Sequence, residues 1–502
     1  MKRILTITTL LLLTALLVAG CTSPQKTATP ASIADSLKDR ADQEFRQENY
    51  RTAMPLYVLA QENYTAAGNA ASALKARDGA SRSLRMYAEF PYNRSAMDQE
   101  LAKAYPDAST EQRAGWLNGS MIATIRSDGE VLYFAENTGN IRFHNPALMQ
   151  QMAASMNHTP LYDELTAYTF APLVAGAGPF GKPVTWEGTE ELSMPRSALP
   201  RSGTLKLWIP TPVESGSQTN VTVYSIEPSR YVVRPPDTHA DIGLAYLEIP
   251  LDQVNGDFVN VTVKFWFTQA EQRFVIDPAK VKPYNTSAPE YLKYTASGRN
   301  IVVTPEMKNM AQGIVGNETN PYLQARKIYW HIMDTLPYSH APHTWLDASN
   351  TPESTYVLST GIGDCGSQSM YFAALCRSLG IPARAIGGYQ MFPGSEGTHF
   401  WAEYYLEGYG WIPVDVTAAE TADWSYNATP EERHRFKEYF FGSLDPYRYI
   451  IQKDVDVPIT PDPGDAVMFR MAVQNPKAVC DTCTTDPEFD LLNNWKVTVK
   501  KV

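Results

Sequence analysis

The sequence predicts an α+β multidomain chain in which helices come first, strands follow, and both alternate in the last third. Residues 34–115 carry the periodicity of amphipathic helices, and residues 161–281 consist of short β-rich runs between turn residues. A helix–strand–strand pattern surrounds Cys365. Because 502 residues exceed the usual size of one domain, we expect these three regions to be separate domains.

The first twenty residues have the composition of a secretory signal peptide. Two basic residues precede an apolar run over residues 4–19, which is shorter than a comfortable membrane span. The run ends in Val18-Ala19-Gly20-Cys21, which resembles a lipoprotein cleavage box with Cys21 as the lipidated residue. An uncleaved anchor helix is the alternative. Both interpretations predict an extracytoplasmic protein held at the cell membrane, with residues 21–33 as a flexible tether rich in Ser, Thr and Pro.

Charge and glycosylation motifs narrow the class of partner. The formal charge is −11 at pH 7, and loss of residues 1–20 with their two positive charges makes it −13. An acidic chain without a basic run argues against a nucleic-acid partner. Asn-X-Ser/Thr motifs indicate a glycoprotein of a bacterial or archaeal envelope. These motifs begin at Asn63, Asn93, Asn118, Asn157, Asn220, Asn260, Asn285, Asn317 and Asn427.

Residues 34–115 combine small and aromatic side chains at helical spacing. The pattern resembles one or two tetratricopeptide-type helical hairpins. That is fewer units than a free-standing solenoid needs, so we expect these helices to lean on a neighbour. A docking surface for a protein partner and a simple spacer are both open. The pattern is formed by Ala41, Phe45, Tyr50, Ala53, Tyr57, Ala60, Tyr64 and Ala71.

The next two regions are predicted as a connector and a β domain. Residues 116–160 are expected to form a hairpin of strands 131–134 and 141–143, with a turn at 137–140, followed by a short helix. Residues 161–290 are expected to form a β-sandwich-like domain that positions substrate. Its predicted strands are residues 204–209, 221–224, 244–249 and 258–267.

A thiol, an imidazole and a carboxylate occur at Cys365, His399 and Asp415, in the order that a cysteine nucleophile needs. A free thiol with a pKa of about 8.5 attacks poorly at neutral pH, so an imidazole must take its proton and a carboxylate must orient that imidazole. A helix predicted over residues 367–379 places Cys365 at its N-terminus. There we expect the helix dipole to stabilise a thiolate, and the N–H group of Cys365 or Gly366 to bind an oxyanion.

The register of two predicted strands decides whether the imidazole meets the carboxylate. A strand over residues 383–386 leads through a Gly- and Pro-rich loop into strands 399–406 and 411–416. A three-residue loop at 407–409 pairs Glu403 with Pro413, which puts His399 and Asp415 on one face. A slip by one residue would place them on opposite faces.

Residues from about 322 to 448 resemble the transglutaminase-like superfamily of papain-type cysteine enzymes. The resemblance implies a papain-like transglutaminase core over residues 291–455, catalysis by Cys365, His399 and Asp415, and a β domain ahead of the core. Phe400 and Val416 depart from the family pattern and bear on pocket shape. The matching motifs are Gly363-Asp364-Cys365, residues 376–384, Gly388-Tyr389, residues 399–403, Gly410-Trp411, Asp415-Val416-Thr417 and residues 441–445.

Several neighbouring residues have a structural and a functional interpretation. Cys376 lies on the apolar side of the helix and is expected to be structural. Glu403 is expected to pair with Arg384 rather than to orient the imidazole. His340 and His343 are candidates for the wall of the substrate cleft, and Trp345 is a candidate oxyanion donor.

The C-terminal extension, residues 456–502, carries Cys480 and Cys483. A lone Cys-X-X-Cys pair lacks the ligands of a structural zinc site, so a local disulfide is expected outside the cytosol. The predicted protein is a lipid-anchored cysteine enzyme that acts on peptide amides through a thioester, without metal or organic cofactor. Hydrolysis is favoured over cross-linking. A catalytically silent scaffold is the alternative.

Overall fold

The protein is described by a computed structural model that covers residues 29–155, 160–172, 178–425, 427–483, 487–488 and 494–502. The predicted signal peptide and Cys21 lie outside the described residues. The helices are α1 Pro30–Arg46, α2 Tyr50–Ala66, α3 Ala70–Arg85, α4 Arg94–Ala104, α5 Thr110–Leu117, α6 Asn137–Phe143, α7 Pro146–Ser155, α8 Pro160–Thr169, α9 Pro289–Thr295, α10 Pro305–Val315, α11 Pro321–Thr335, α12 His343–Ala348, α13 Glu353–Thr360, α14 Cys365–Ser378, α15 Val416–Glu420 and α16 Pro430–Tyr439. The strands are β1 Thr124–Ser127, β2 Glu130–Tyr133, β3 Phe180–Pro195, β4 Thr204–Pro210, β5 Gln218–Glu227, β6 Val232–Arg234, β7 Leu244–Pro250, β8 Phe258–Arg273, β9 Ala383–Phe392, β10 Ser395–Leu406, β11 Gly410–Val414, β12 Ser443–Leu444, β13 Arg448–Gln452, β14 Lys477–Cys480 and β15 Trp495–Lys501.

Helices α1 to α3 pack through alternating small and aromatic residues. A Cβ atom at Gly79 would lie 2.6 Å from the Tyr57 ring, so α2 and α3 approach closely only because this position has no side chain. The amide of Gln61 donates to the carbonyl of Cys483 at 3.1 Å, which joins the helices to the C-terminal extension as a neighbour. Helix α1 begins at Pro30 with Thr29 as its cap, four residues before the predicted start of the helical region at residue 34. The tetratricopeptide-like character of this region stays a prediction.

The connector differs from the predicted hairpin. Strands β1 and β2 form the hairpin, and residues 137–143, predicted as a turn and a strand, form helix α6 instead. The cause is a pair of long-range contacts that local pattern does not reveal. The buried Asn137 side chain bonds both backbone groups of Ala123, and Asn140 bonds the backbone of His340.

The middle of the chain contains two antiparallel sheets that share buried core residues. One has the order β12-β8-β3-β15, with β5 also paired to β8, and the other has the order β14-β4-β7-β6. The four predicted strands are present as β4, β5, β7 and β8. Strands β12, β14 and β15 come from outside residues 161–290, so a sandwich formed by that range alone stays a prediction.

The region around Cys365 combines helices with a sheet. The sheet has the order β11-β10-β9-β13, and α14 packs against it. Strand β9 continues to Phe392 and β10 begins at Ser395, so most of the predicted Gly- and Pro-rich loop is strand. Gly388 is needed in β9, because a Cβ there would lie 2.1 Å from the Tyr449 carbonyl oxygen and 3.1 Å from the Trp401 ring. This close approach allows β13 to pair with β9, which also pairs with β10, the strand that carries His399.

Candidate active site

Cys365 is the first residue of α14, and Asp364 caps this helix. The Asp364 Oδ1 atom accepts the backbone N–H groups of Gly366 at 3.0 Å and Ser367 at 3.3 Å. An Asp at this position satisfies N–H groups that have no partner within the helix. The helix begins two residues before the predicted start, and it is buried from Gly366 to Arg377.

His399 and Asp415 meet as the strand register predicted. Glu403 pairs with Pro413 and Leu406 with Gly410 across β10 and β11. His399 Nε2 lies 2.8 Å from Asp415 Oδ2, and both side chains are buried. Because Nε2 is engaged by the carboxylate, Nδ1 is the ring nitrogen that remains for exchange of a proton with a thiol.

Asp415 is also held by a cation that the sequence analysis did not identify. The Arg448 guanidinium bridges Asp415 and Asp445, and all three side chains are fully buried. Asp415 Oδ1 accepts the backbone N–H of Ala418 at 2.9 Å. Burial acts to raise the pKa of Asp415, but His399 and Arg448 outweigh it and hold that pKa well below its usual range. The carboxylate is therefore ionised whenever His399 needs a negative partner.

The Cys365 thiol is protonated in the resting protein, contrary to the expected thiolate. Burial and, next in size, the Asp364 carboxylate raise the pKa of Cys365 to about 12. The N–H groups expected to favour a thiolate instead bond Asp364, which explains the difference. The backbone N–H of Phe400 and the charge of His343 act in the opposite direction. Attack by this sulfur consequently requires proton transfer to a base.

Cys365 lies in the wall of a cavity of about 350 Å³. Thr398 and Phe400, on either side of His399 in β10, line the same cavity, whereas His399 is not among the lining residues, since alternate side chains of a strand point to opposite faces. The charge of Asp415, the partner of His399, acts on the pKa of the Cys365 thiol, so the carboxylate and the sulfur lie in one region of the fold. The Phe400 ring also covers Gly366, at 3.3 Å from the place of a Cβ on that glycine. His343 lines the cavity as predicted.

Two of the three oxyanion candidates, Gly366 and Trp345, make other contacts in the structure. Gly366 lines the cavity, but its N–H donates to Asp364. Trp345 lies outside the residues that line the cavity, with its ring against Phe90 at a centroid distance of 6.1 Å. Aromatic packing between α12 and the segment after α3 therefore sets its orientation.

The contacts of Glu403, Cys376 and His340 show the position of the remaining residues that the sequence analysis considered. Glu403 accepts two hydrogen bonds from Arg384, at 2.6 and 2.8 Å, as predicted. Cys376 is buried in the core, where burial raises its pKa. The His340 ring packs against Phe143 instead of lining the cavity.

The C-terminal extension forms part of the cavity wall, which sequence analysis did not predict. Phe469, Met471 and Gln474 line the cavity together with Cys365. Gln474 Nε2 donates to the carbonyls of Gly388 at 2.8 Å and His399 at 2.7 Å. The extension thus contacts the backbone of the candidate base directly. A run of apolar residues beyond residue 455 indicates a buried segment. Nothing in its local pattern indicates that it packs against the cavity that Cys365 lines.

Three further observations bear on chemistry and location. Cys480 and Cys483 form a disulfide, as predicted. In the part of the chain that the structure describes, no cluster of three His, Cys, Asp or Glu side chains is placed to hold a metal ion. Within the same residues, every helix is too short or too polar to cross a bilayer.

Comparison with known proteins gives matches to this region and to larger parts of the chain. An "Uncharacterized protein" from Haemophilus influenzae is 27% identical over 192 residues, which are 33% of this chain and 50% of that protein. The chain therefore spans about half the length of this curated relative. A solved structure described as a "Putative Cysteine Protease" from Cytophaga hutchinsonii has a TM-score of 0.40 and 15% identity, over 64% of this chain and 92% of that one. The periplasmic domain of TgpA from Pseudomonas aeruginosa has a TM-score of 0.23 and 16% identity, over 53% of this chain and 100% of that one.

Residues 308–416 match the model of the transglutaminase-like superfamily. The matched range includes the Asp364 cap, Cys365, His399 and Asp415, so the match and the geometry concern the same residues. The chain therefore carries a domain of the transglutaminase-like superfamily.

Proposed function

We propose that this protein is a cysteine hydrolase that cleaves amide bonds of proteins or peptides through a thioester intermediate. The observation that carries the proposal is the buried His399–Asp415 pair at 2.8 Å, in the strand whose residues Thr398 and Phe400 line the cavity together with Cys365. A buried imidazole with an ionised carboxylate partner is the arrangement that accepts a proton from a nucleophile and stabilises the resulting cation.

The reaction follows from the placement of the ring nitrogens. The Cys365 sulfur bonds to the amide carbon while its proton passes to His399 Nδ1, and Asp415 stabilises the imidazolium. The carbon–nitrogen bond then breaks, and Nδ1 returns the proton to the leaving amine. A water molecule adds to the thioester as Nδ1 takes one of its protons. The carbon–sulfur bond finally breaks, and that proton restores the thiol.

A protonated resting thiol fits this sequence of steps. Since burial raises the pKa of Cys365, sulfur loses its proton only as the bond to carbon forms. The enzyme then resists casual alkylation and oxidation compared with one that keeps a permanent thiolate. Hydrolysis is proposed over cross-linking because water is always abundant and no acceptor site is evident in the sequence.

The proposed location is the outer face of the cell membrane, with Cys21 as a lipid anchor. Helices α1 to α3 would serve as a tetratricopeptide-like docking surface and the β-rich region as a sandwich that positions substrate. Mass spectrometry of the mature N-terminus and membrane fractionation of Cys21→Ser test the anchor. If as much Cys21→Ser as wild-type protein is recovered in the membrane fraction, Cys21 is not the anchor. The same spectra of tryptic peptides test whether the Asn-X-Ser/Thr sites carry glycans.

A decisive test uses β-casein as substrate in water enriched in ¹⁸O, with hydroxylamine added in a parallel reaction. Hydrolysis incorporates ¹⁸O into new carboxyl groups, and hydroxylamine traps the thioester as a hydroxamate. Cys365→Ala should lose both products, whereas Cys376→Ala, which removes the other free thiol, a fully buried one, should retain them. Equal products from Cys365→Ala and the wild-type protein would reject Cys365 as the nucleophile. If casein instead becomes joined to an added primary amine and takes up no ¹⁸O, the reaction is transamidation and not hydrolysis.

A silent scaffold is the second candidate, and one observation favours it. Phe400 packs over Gly366 at the start of α14, where the family pattern has a small residue, and so narrows the approach to Cys365. Phe400→Ala distinguishes the two candidates. A scaffold whose cleft is closed gains iodoacetamide reactivity at Cys365 on this change, whereas an enzyme with an open cleft is alkylated at the same rate with and without it.

A further inference from the structure

His343 is held between two carboxylates directly beside the nucleophile. Its Nδ1 atom lies 2.7 Å from Glu353 Oε1 and its Nε2 atom 2.6 Å from Asp364 Oδ2. Glu353 and Asp364 are largely buried, and the His343 ring faces the cavity that Cys365 lines. The sequence analysis regarded His343 only as a candidate cleft residue, and the proposed reaction does not use it.

The protonation state of this ring follows from the hydrogen bonds. An ionised carboxylate accepts hydrogen bonds and cannot donate them, so a ring that bonds carboxylates through both nitrogens carries a proton on each. Asp364 already accepts two backbone N–H groups through Oδ1, and Glu353 accepts the Ser367 hydroxyl at 2.7 Å. Each carboxylate thus acts as an acceptor toward its other neighbours, and the ring donates to both of them, which makes His343 an imidazolium.

Asp364 precedes the nucleophile and has two opposing effects on it. As the cap of α14 it fixes the first turn, in which Cys365 lies. As an anion it raises the pKa of the Cys365 thiol and opposes formation of negative sulfur. A cation fixed against Asp364 keeps the first effect and offsets part of the second.

We propose that His343 is a positioning residue for the nucleophile: as a permanent imidazolium it holds Asp364 in its capping position and offsets the charge of Asp364 beside the sulfur. This inference rests on the proposed function, in which partial negative charge develops at the Cys365 sulfur as its proton leaves during attack. His343 does not exchange a proton with the substrate. It differs in this respect from His399, whose single carboxylate partner leaves Nδ1 for proton transfer.

The other charged and titratable groups around His343 agree with this assignment. Burial alone would lower the pKa of His343, but Asp364 and Glu353 outweigh it and raise that pKa well above its usual value. The imidazolium is thus present at and below neutral pH and is lost only as the pH rises through the raised value. The charged and titratable groups that share the cavity or contact the ring are Arg85 at the end of α3, Glu89 after α3, Tyr338 after α11, Glu353 of α13, Asp364 and Cys365 at α14, and Lys477 and Glu488 of the C-terminal extension.

The test measures the rate of Cys365 alkylation by iodoacetamide between pH 6 and pH 10 in a double-substitution cycle. His343→Gln removes the charge, and Asp364→Asn removes the opposing anion while an Asn remains a good helix cap. We expect His343→Gln to react about tenfold more slowly at pH 7.5, since one unit in thiol pKa is a tenfold change in thiolate. We expect the double variant His343→Gln/Asp364→Asn to recover to within about threefold of the wild-type rate. His434→Gln, a substitution of an exposed histidine on α16, should leave the rate unchanged.

The outcomes separate this inference from a structural role and from the proposed function. A slow single variant that Asp364→Asn does not rescue, or a single variant with the wild-type rate, would overturn the inference. Nitrogen-15 NMR of the full-length protein provides a second measurement, with two ring N–H signals for His343 expected at pH 7.5. A neutral His343 ring at that pH would also overturn it. Failure of wild-type protein to form hydroxamate from casein would reject the proposed function, while the alkylation cycle and the NMR signals would still decide the role of His343.

Discussion

Replacement of Arg448 by methionine tests the charge arrangement behind the His399–Asp415 pair. The Arg448 guanidinium is fully buried and bridges Asp415 and Asp445, which are equally buried. Methionine keeps the apolar part of the side chain but leaves two carboxylates without their shared cation. Removal of one member of a buried ion pair costs about 3–5 kcal/mol, because the remaining charge is desolvated and uncompensated. We therefore expect the free energy of unfolding to fall by about that amount.

Urea denaturation followed by tryptophan fluorescence measures this loss, and two further variants interpret it. Arg384→Met is the matched control, because Arg384 contacts a single carboxylate, Glu403, in a less buried pair, and its loss should be smaller. Asp445→Asn in the Arg448→Met background removes one of the two stranded charges and should restore part of the stability. A variant Arg448→Met as stable as wild type, or further destabilised by Asp445→Asn, would refute the reasoning.

The pH dependence of the same variant has a defined sign. Because the pKa of Asp415 is lowered in the folded protein, the stability it contributes is present above its unfolded value of about 3.9 and is lost as the pH falls through the folded value. Arg448→Met brings the folded pKa closer to the unfolded one. The difference in stability between wild type and variant should be largest near neutral pH and should narrow below about pH 4.

Three other substitutions test the surroundings of the site. Gln474→Leu removes the amide that bonds the His399 carbonyl, and should lower kcat by roughly tenfold to a hundredfold with little change in KM. Gln269→Leu, which removes a buried amide of β8 that donates to the Ser217 hydroxyl, should leave kcat unchanged. Trp345→Phe should also leave kcat for casein unchanged, and a hundredfold fall would restore Trp345 as an oxyanion donor. Gly388→Ala should destabilise the fold by roughly 1–3 kcal/mol in urea denaturation, because its Cβ has no space between strands, and an equally stable variant would contradict that close approach.

The parts of the site that sequence analysis predicted depend on short-range rules. The α14 helix follows from its apolar period and from Gly380 and Pro382 after its end. The contact between His399 and Asp415 follows from a three-residue hairpin loop, since loop length fixes the register of the two strands. Both are decided within about fifty residues of Cys365.

The parts that sequence analysis missed depend on partners far away in the chain. Asn137 and Asn140 favour a turn locally, but their bonds to Ala123 and His340 stabilise a helix. Arg448 lies in an apolar strand whose pattern gives no sign of two buried acids. The raised pKa of Cys365, where a stabilised thiolate was expected, has a related cause. The position of a residue at a helix N-terminus does not reveal which acceptor takes the free N–H groups.

The contribution of Gln474 and its neighbours to the cavity has a consequence for how the catalytic region can be handled. A fragment limited to residues 291–455 keeps the thiol, the imidazole and the carboxylate, yet lacks both the extension against His399 and the N-terminal residues that complete the cavity. Such a fragment would expose apolar surface where the intact protein has a pocket. The nucleophile and its cavity therefore cannot be separated from the rest of the protein as one short fragment. An active variant built in another protein would need segments that lie as far apart in the sequence as Arg85 and Glu488.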